Sequence, residues 1–570
     1  MILVRTAINH MSESYTGADC FVDALEQYGV SYVFGNPGTT ELPVLKSLAA
    51  SDIEYILGLH EDIAVGMAGG YASTRRYHAH SDPDVCPVGV ANLHLAPGLA
   101  HGLGNLYAAK VAGAPVVVTA GNHSTDFRHE EPILSGDLVS LAEEFTKWSA
   151  EVLDVAALPA MIRRAFRTAL TPPTGPVFLG LPLDTMLAET DAEPERLGEI
   201  PTAGGGDPTQ LARAAELLTA AEAPTMIVGD QIARAGSDAV DAAVTLAETA
   251  GLRVHGEILS CEVNFPTTHD QWVSYIPPDE GLAARVMGAD TLVFAGCSTN
   301  TTLTRHENPL IDSETTCIHL GPDAWELGKH QPADAAVLGD PGEVMRALAE
   351  RIDLEAGVRK ERLDRVEETK AGLADTLDSI GRGTEDDPRA SKAELAEALI
   401  ESAPDAYIVD EGVTAKYALL TRWPLAAEGM ISNKGGGLGY GLPASVGAAI
   451  AESEHEGSRT VLGFVGDGSY LYYPHTLYSA ARHDVDLTVV IADNRNYRIL
   501  KDNTIGLFGG EDADHDYVGM DFEPPVDLVT NAQSHGADAE LVETPEGIAP
   551  AVGRAVESEG PTVLDVLVRD

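Results

Sequence analysis

The chain has little cysteine, little lysine and no long apolar run. Its five cysteines (Cys20, Cys86, Cys261, Cys297 and Cys317) are scattered, odd in number and without a Cys-X-X-Cys pair. That excludes a disulfide framework and a zinc site of the usual spacing, and it predicts a reducing, cytoplasmic setting. No stretch approaches the roughly 18 apolar residues that cross a bilayer, so no membrane association is expected. The opening MILVRTAINHM has a short apolar patch but neither the apolar core nor the cleavage site of a secretory signal. It reads as a disordered leader, with Met11 a candidate start. Basic residues are scarce: 37 Lys and Arg face 88 Asp and Glu, a formal charge of -51, and only ten of the bases are Lys. Such a chain repels phosphate backbones, which excludes nucleic acid as a partner. Because the acid is spread through the chain rather than collected in a tail, it predicts a halophilic protein, stable where salt screens its self-repulsion.

What the chain does have is length and alternation. At 570 residues it exceeds one hydrophobic core, and three domains are the natural expectation. Helical and strand patterns alternate, with glycine at the strand ends: DCFVDALEQYG, SYVFGNPG, EYILGL, EDIAVGMAGGYAST, CPVGVANLH, PVVVTAG and GPVFLGLPLD. That pattern predicts a doubly wound parallel sheet. It recurs in APTMIVGD, LRVHGE, DTLVFAG and TTCIHLG, and again in AYIVDEG, TVLGFVGDG, LTVVIADN and PTVLDVLVRD. The expected fold is α/β, with domains over 1–186, 207–352 and 388–570. A linker, Leu187 to Asp207, and a charged helical connector, Asp353 to Asp387, separate them.

One stretch, Thr460 to Leu500, carries the densest chemistry. TVLGFV runs into Gly466-Asp467-Gly468-Ser469, a helical segment spans Tyr473 to Arg482, and LTVVIA runs into Asp493-Asn494-Arg495-Asn496. Strand, crossover helix and strand form a right-handed parallel unit that brings both polar ends to the carboxyl edge of one sheet, where such sheets bind ligands. Asp467 and Asn494 then become neighbours. Their oxygens are hard ligands, too few to enclose Mg²⁺ but sufficient once phosphate oxygens complete an octahedron. Asp-Gly and Asn-rich pairs also mark ordinary turns; the paired spacing favours the metal.

GDGS followed by DNRN resembles the cofactor motif of thiamine diphosphate enzymes. From Tyr15 onward the chain is similar to the pyruvate-oxidase and decarboxylase superfamily, nearest to the benzoylformate decarboxylases. The resemblance implies pyrimidine-binding, middle and diphosphate-binding domains. It also implies Mg²⁺ held by Asp467, the Asn494 side chain and the Asn496 carbonyl, with Gly466 and Gly468 giving room for the diphosphate. Glu61, in HEDIAVGMAGG, matches the carboxylic acid that meets the cofactor pyrimidine and activates it; without that match it is a common helix-start carboxylate. In KGGGLGYGLP, Leu438 matches the wedge under the cofactor, and the Gly436 carbonyl accepts from its amino group. Thr414 and Ser469 are diphosphate donors, whereas Val413 stands where relatives often carry a hydroxyl.

For substrate, the resemblance points to Thr39, in GNPGTTELP, and to His94, in ANLHLAPG. His101 reads as a helix-start residue and His123 as a lesser candidate. The family's second histidine is replaced by Leu303, with His306 three residues on, and Asp502 and Asn503 replace aromatic pocket positions. The implied reaction is thiamine-diphosphate-dependent, non-oxidative decarboxylation of a 2-keto acid to an aldehyde and carbon dioxide. An acetolactate-synthase-type carboligase and a non-catalytic cofactor-binding protein are the alternatives. Because family sites form between subunits, a homodimer is the implied minimum and a homotetramer the family's habit.

Overall fold

The structure, a computed structural model, describes residues 14–297, 308–383 and 387–570. Leu303, His306 and the opening residues through Met11 lie outside the described residues. Three six-stranded sheets follow one another along the chain, and every strand pair within them is parallel. The first runs, in spatial order, Glu54–Leu57, Tyr32–Gly35, Gly89–His94, Val116–Asn122, Val177–Pro182 and Ser149–Glu151. The third runs Met430–Ser432, Tyr407–Glu411, Val461–Gly466, Leu487–Asp493, Pro561–Leu567 and Asp538–Val542. Numbered within each sheet, both have the order 2-1-3-4-6-5, whereas the middle sheet is 3-2-1-4-5-6. The two outer modules are therefore architectural twins, a relation their sequences do not display.

The central strands of each sheet are buried along their length, as apolar runs such as Val116–Asn122 and Leu487–Asp493 require when helices cover both faces. No regular element falls between Leu187 and Pro208, and the charged connector is the helix Ala356–Ser379, in which only Arg362, Val366 and Leu373 are buried. No helix among the described residues is long and apolar enough to cross a membrane.

The outer modules meet through two helices poor in bulk at their crossing, Glu61–Ser81 and Gly441–Ser453. A Cβ on Gly70 would collide with the backbone of Ala444, and one on Gly447 with that of Met67. Glycine is required there by close approach, and Thr74 on the first helix also hydrogen bonds Tyr407, on a strand of the third module, at 3.0 Å. One consequence is positional: the start of the helix at Glu61 is set by the first module but braced by the third.

Candidate active site

The unit Val461–Gly466, Leu487–Asp493 folds as its pattern predicts, the two strands pairing in parallel. The connection differs in detail: one helical turn, Asp467–Tyr470, precedes a helix that starts at Thr476 rather than Tyr473. At the carboxyl edge Thr414, Leu438, Gly466, Asp467, Gly468, Ser469, Asn494 and Asn496 line one cleft. Gly436 lies beside it, lining a larger cavity of about 800 Å³ together with Thr414, Leu438, Asp502 and Asn503. Val413 borders both and holds φ 48°, an uncommon value for a β-branched residue and a local strain at the mouth of the cleft.

This cleft has the electrostatics of a cation site. Burial, reinforced by the adjacent Asp493 carboxyl, pushes Asp467 up to about 8. Asp467 Oδ2 and Asn496 Oδ1 are buried without a hydrogen-bond partner. Orphaned buried oxygens are costly, and a hard divalent ion relieves that cost by giving acceptors a common partner. The donor set therefore fits Mg²⁺. Asn494 Nδ2 donates to Asp570 at 2.8 Å, which sets the amide's orientation. Lys392, held below its usual range by burial, also lines the cleft.

The glycine loop beneath is anchored at both ends. Glu411 accepts from the N–H groups of Tyr440 (3.2 Å) and Gly441 (2.7 Å), while burial raises it to about 7. On the other side Lys434 pairs with Asp230 at 2.8 Å and Glu257 at 2.7 Å, two carboxylates of the middle module.

A second constellation forms at the carboxyl edge of the first sheet. His94 ends the strand Gly89–His94, and its Nδ1 lies 2.7 Å from Glu41 Oε2. The Glu41 contact, against the opposing cost of burial, raises His94 above its ordinary value. Glu61 opens its helix and meets His101 Nδ1 at 3.1 Å. Gly98 sits between Glu61 and His94: a Cβ there would lie 3.1 Å from Glu61 Oε1 and 3.4 Å from His94 Cβ. Beside them Asp62, raised by burial to about 6, accepts from Tyr473 Oη at 2.9 Å and joins this edge to the third module.

Thr39 is exposed on the turn; the neighbouring hydroxyl, Thr40 Oγ1, is the one 3.1 Å from His94 Nδ1. His101 closes the helix Leu95–His101 instead of starting one. His123 bonds the Ile133 carbonyl at 3.0 Å, a local loop contact. Sequence reading passed over Glu41, Glu411 and Asp493. Only Asp493 carried a signal, its place at a strand end beside the metal-type motif; the others look like ordinary helix-cap and strand residues. Among the described residues, neither cavity of the third module is lined by any residue before Leu259.

Comparisons with known proteins bear on the family and the fold. Models of the thiamine pyrophosphate enzyme N-terminal, central and C-terminal domains match residues 15–147, 211–348 and 414–566. Benzoylformate decarboxylase of Pseudomonas aeruginosa is 30% identical over 95% of this chain and 97% of its own length. Acetolactate synthase of Bacillus subtilis is 25% identical, over 97% and 93% respectively. The solved structure of a thiamine diphosphate-dependent 4-hydroxybenzoylformate decarboxylase from Rhodococcus jostii RHA1 superposes with a TM-score of 0.81 at 26% identity, covering 97% of this chain and 99% of that one. With all three domains matched and a whole-length relative at this identity, the chain belongs to the thiamine pyrophosphate enzyme family.

Proposed function

We propose that the protein is a Mg²⁺- and thiamine-diphosphate-dependent decarboxylase that converts a 2-keto acid to an aldehyde and carbon dioxide. The observation that carries this reading is the Glu41–His94 pair, 2.7 Å apart, whose hydrogen bond raises the imidazole above its ordinary value beside Glu61. Aldehyde formation needs a proton delivered to carbon, and a histidine raised above its ordinary value by a carboxylate partner is suited to supply it. A carboligase of acetolactate-synthase type instead delivers a second keto acid to that position.

Bound thiamine diphosphate supplies the nucleophilic carbon and the electron sink for loss of carbon dioxide. The chain's own residues do the rest. Asp467, Asn494 and the Asn496 carbonyl would hold Mg²⁺, while Thr414 and Ser469 would donate to the diphosphate, with Gly466 and Gly468 leaving it room. Leu438 and the Gly436 carbonyl shape the seat of the rings. Glu61 holds and returns a proton at the pyrimidine; Thr39 meets the substrate carboxylate; His94 moves protons at the substrate. Asp502 and Asn503 in the cavity wall argue against a phenyl pocket.

The diphosphate cleft is lined by third-module residues alone, which supports a site completed by Glu61 from another copy of the chain. The working unit is then at least a homodimer, with a homotetramer as two such pairs. Product analysis in molar salt over a panel of 2-keto acids tests the reading: aldehyde is expected in step with carbon dioxide. Formation of 2-hydroxy-3-keto acids without net aldehyde would assign the carboligase instead.

A further inference from the structure

The start of the helix Glu61–Ser81 holds a cluster of metal-ligand side chains of which the proposed decarboxylation uses only Glu61. Ligand atoms of His60, Glu61 and His101 all lie within 4.8 Å of one another. The His60 and His101 rings stack with centroids 5.2 Å apart, and Glu61 Oε2 is 3.1 Å from His101 Nδ1. Two imidazoles and one carboxylate form a typical zinc ligand set, with the fourth position left to water. The same set is a poor one for Mg²⁺, which prefers oxygen, so it differs in kind from the cleft around Asp467.

Tetrahedral zinc places its ligand atoms about 3.4 Å apart, so the cluster must contract slightly. His101 has the freedom to do so, its side chain being 57% exposed. His60 accepts the Asp62 N–H at Nδ1, a helix cap that ligation through that nitrogen would give up. Glu61 and Asp62 in the first turn offset the positive end of the helix.

We propose that in the cofactor-free protein His60, Glu61 and His101 bind a zinc-type divalent ion, and that this ion and thiamine diphosphate exclude one another. The exclusion rests on the reading of Glu61 as the pyrimidine-facing acid, because one carboxylate cannot serve both partners; the ion site itself does not. Full-length protein dialysed free of cofactor is titrated with Co²⁺, followed by its visible absorption, and then with Zn²⁺ in competition. The expected result is a saturable spectrum that Zn²⁺ erases. Affinity should weaken about 10-fold or more in His101→Gln and His60→Gln, with unchanged circular dichroism, and stay unaltered in a His129→Gln control. Absence of binding, or equal binding by all variants, overturns the site. Thiamine diphosphate with Mg²⁺ should then release Co²⁺; if cofactor binds while Co²⁺ stays in place, the ion site stands and the role given to Glu61 falls.

Discussion

His94 Nδ1 lies 2.7 Å from Oε2 of Glu41, a carboxylate with no solvent exposure. Glu41 Oε1 also accepts from the Gly121 N–H (2.9 Å) and the Thr40 hydroxyl (2.8 Å), so it cannot rotate away from the histidine. The pair raises His94; its stabilisation is therefore full below the unfolded value of about 6.5 and fades as pH rises through the folded value. Glu41→Gln should cost about 1–3 kcal/mol at pH 6 and bring the His94 midpoint down, read by NMR titration of the ring. An unmoved midpoint would remove Glu41 as the residue that tunes His94.

Glu61→Gln keeps the size and most packing of the side chain but not its proton exchange. Turnover should fall by about 10²–10⁴-fold, the usual worth of one acid–base group, while cofactor binding, followed by protein fluorescence, persists. Retained turnover would assign cofactor activation elsewhere.

Removing metal should empty the cleft around Asp467. Dialysis against a chelator is expected to release thiamine diphosphate and to lower the thermal midpoint; Mg²⁺ with cofactor at about 100 times its dissociation constant restores about 2.7 kcal/mol. Asp467→Ala should show no such restoration. If the cofactor stays bound after chelation, the ligand set is not Asp467, Asn494 and Asn496.

Glu411 gives a pH signature independent of the metal. Raised to about 7 by burial, it is protonated in the folded chain at pH values where the unfolded chain has already ionised. Stability should therefore decline as pH rises from about 4.3 to 7, then level off. Glu411→Gln should flatten that slope in urea unfolding; an unchanged slope would locate the titration at another group.

With a formal charge of -51, salt is expected to stabilise the chain. Raising ionic strength from about 0.1 M to 1 M shrinks the screening length from about 10 to 3 Å, and the unfolding midpoint should climb steadily across that range. A flat response would mean the acidic surface is already locally compensated.

What the sequence determined by itself was whatever depends on local period and local chemistry. Alternation and glycine at strand ends announced three parallel sheets, and the polar ends of Val461–Gly466 and Leu487–Asp493 announced a ligand edge, because strand length, turn geometry and crossover handedness are properties of contiguous residues. Folding decided the pairings between distant side chains. Glu41 and His94 are 53 positions apart and Glu61 and His101 are 40. Thr40, the neighbour of the expected Thr39, is the hydroxyl that packs on the histidine. No periodicity encodes such partners: they follow from the register of neighbouring strands and from how closely glycines let two helices cross. The sheets were legible in one dimension; which protons can pass between which groups required three.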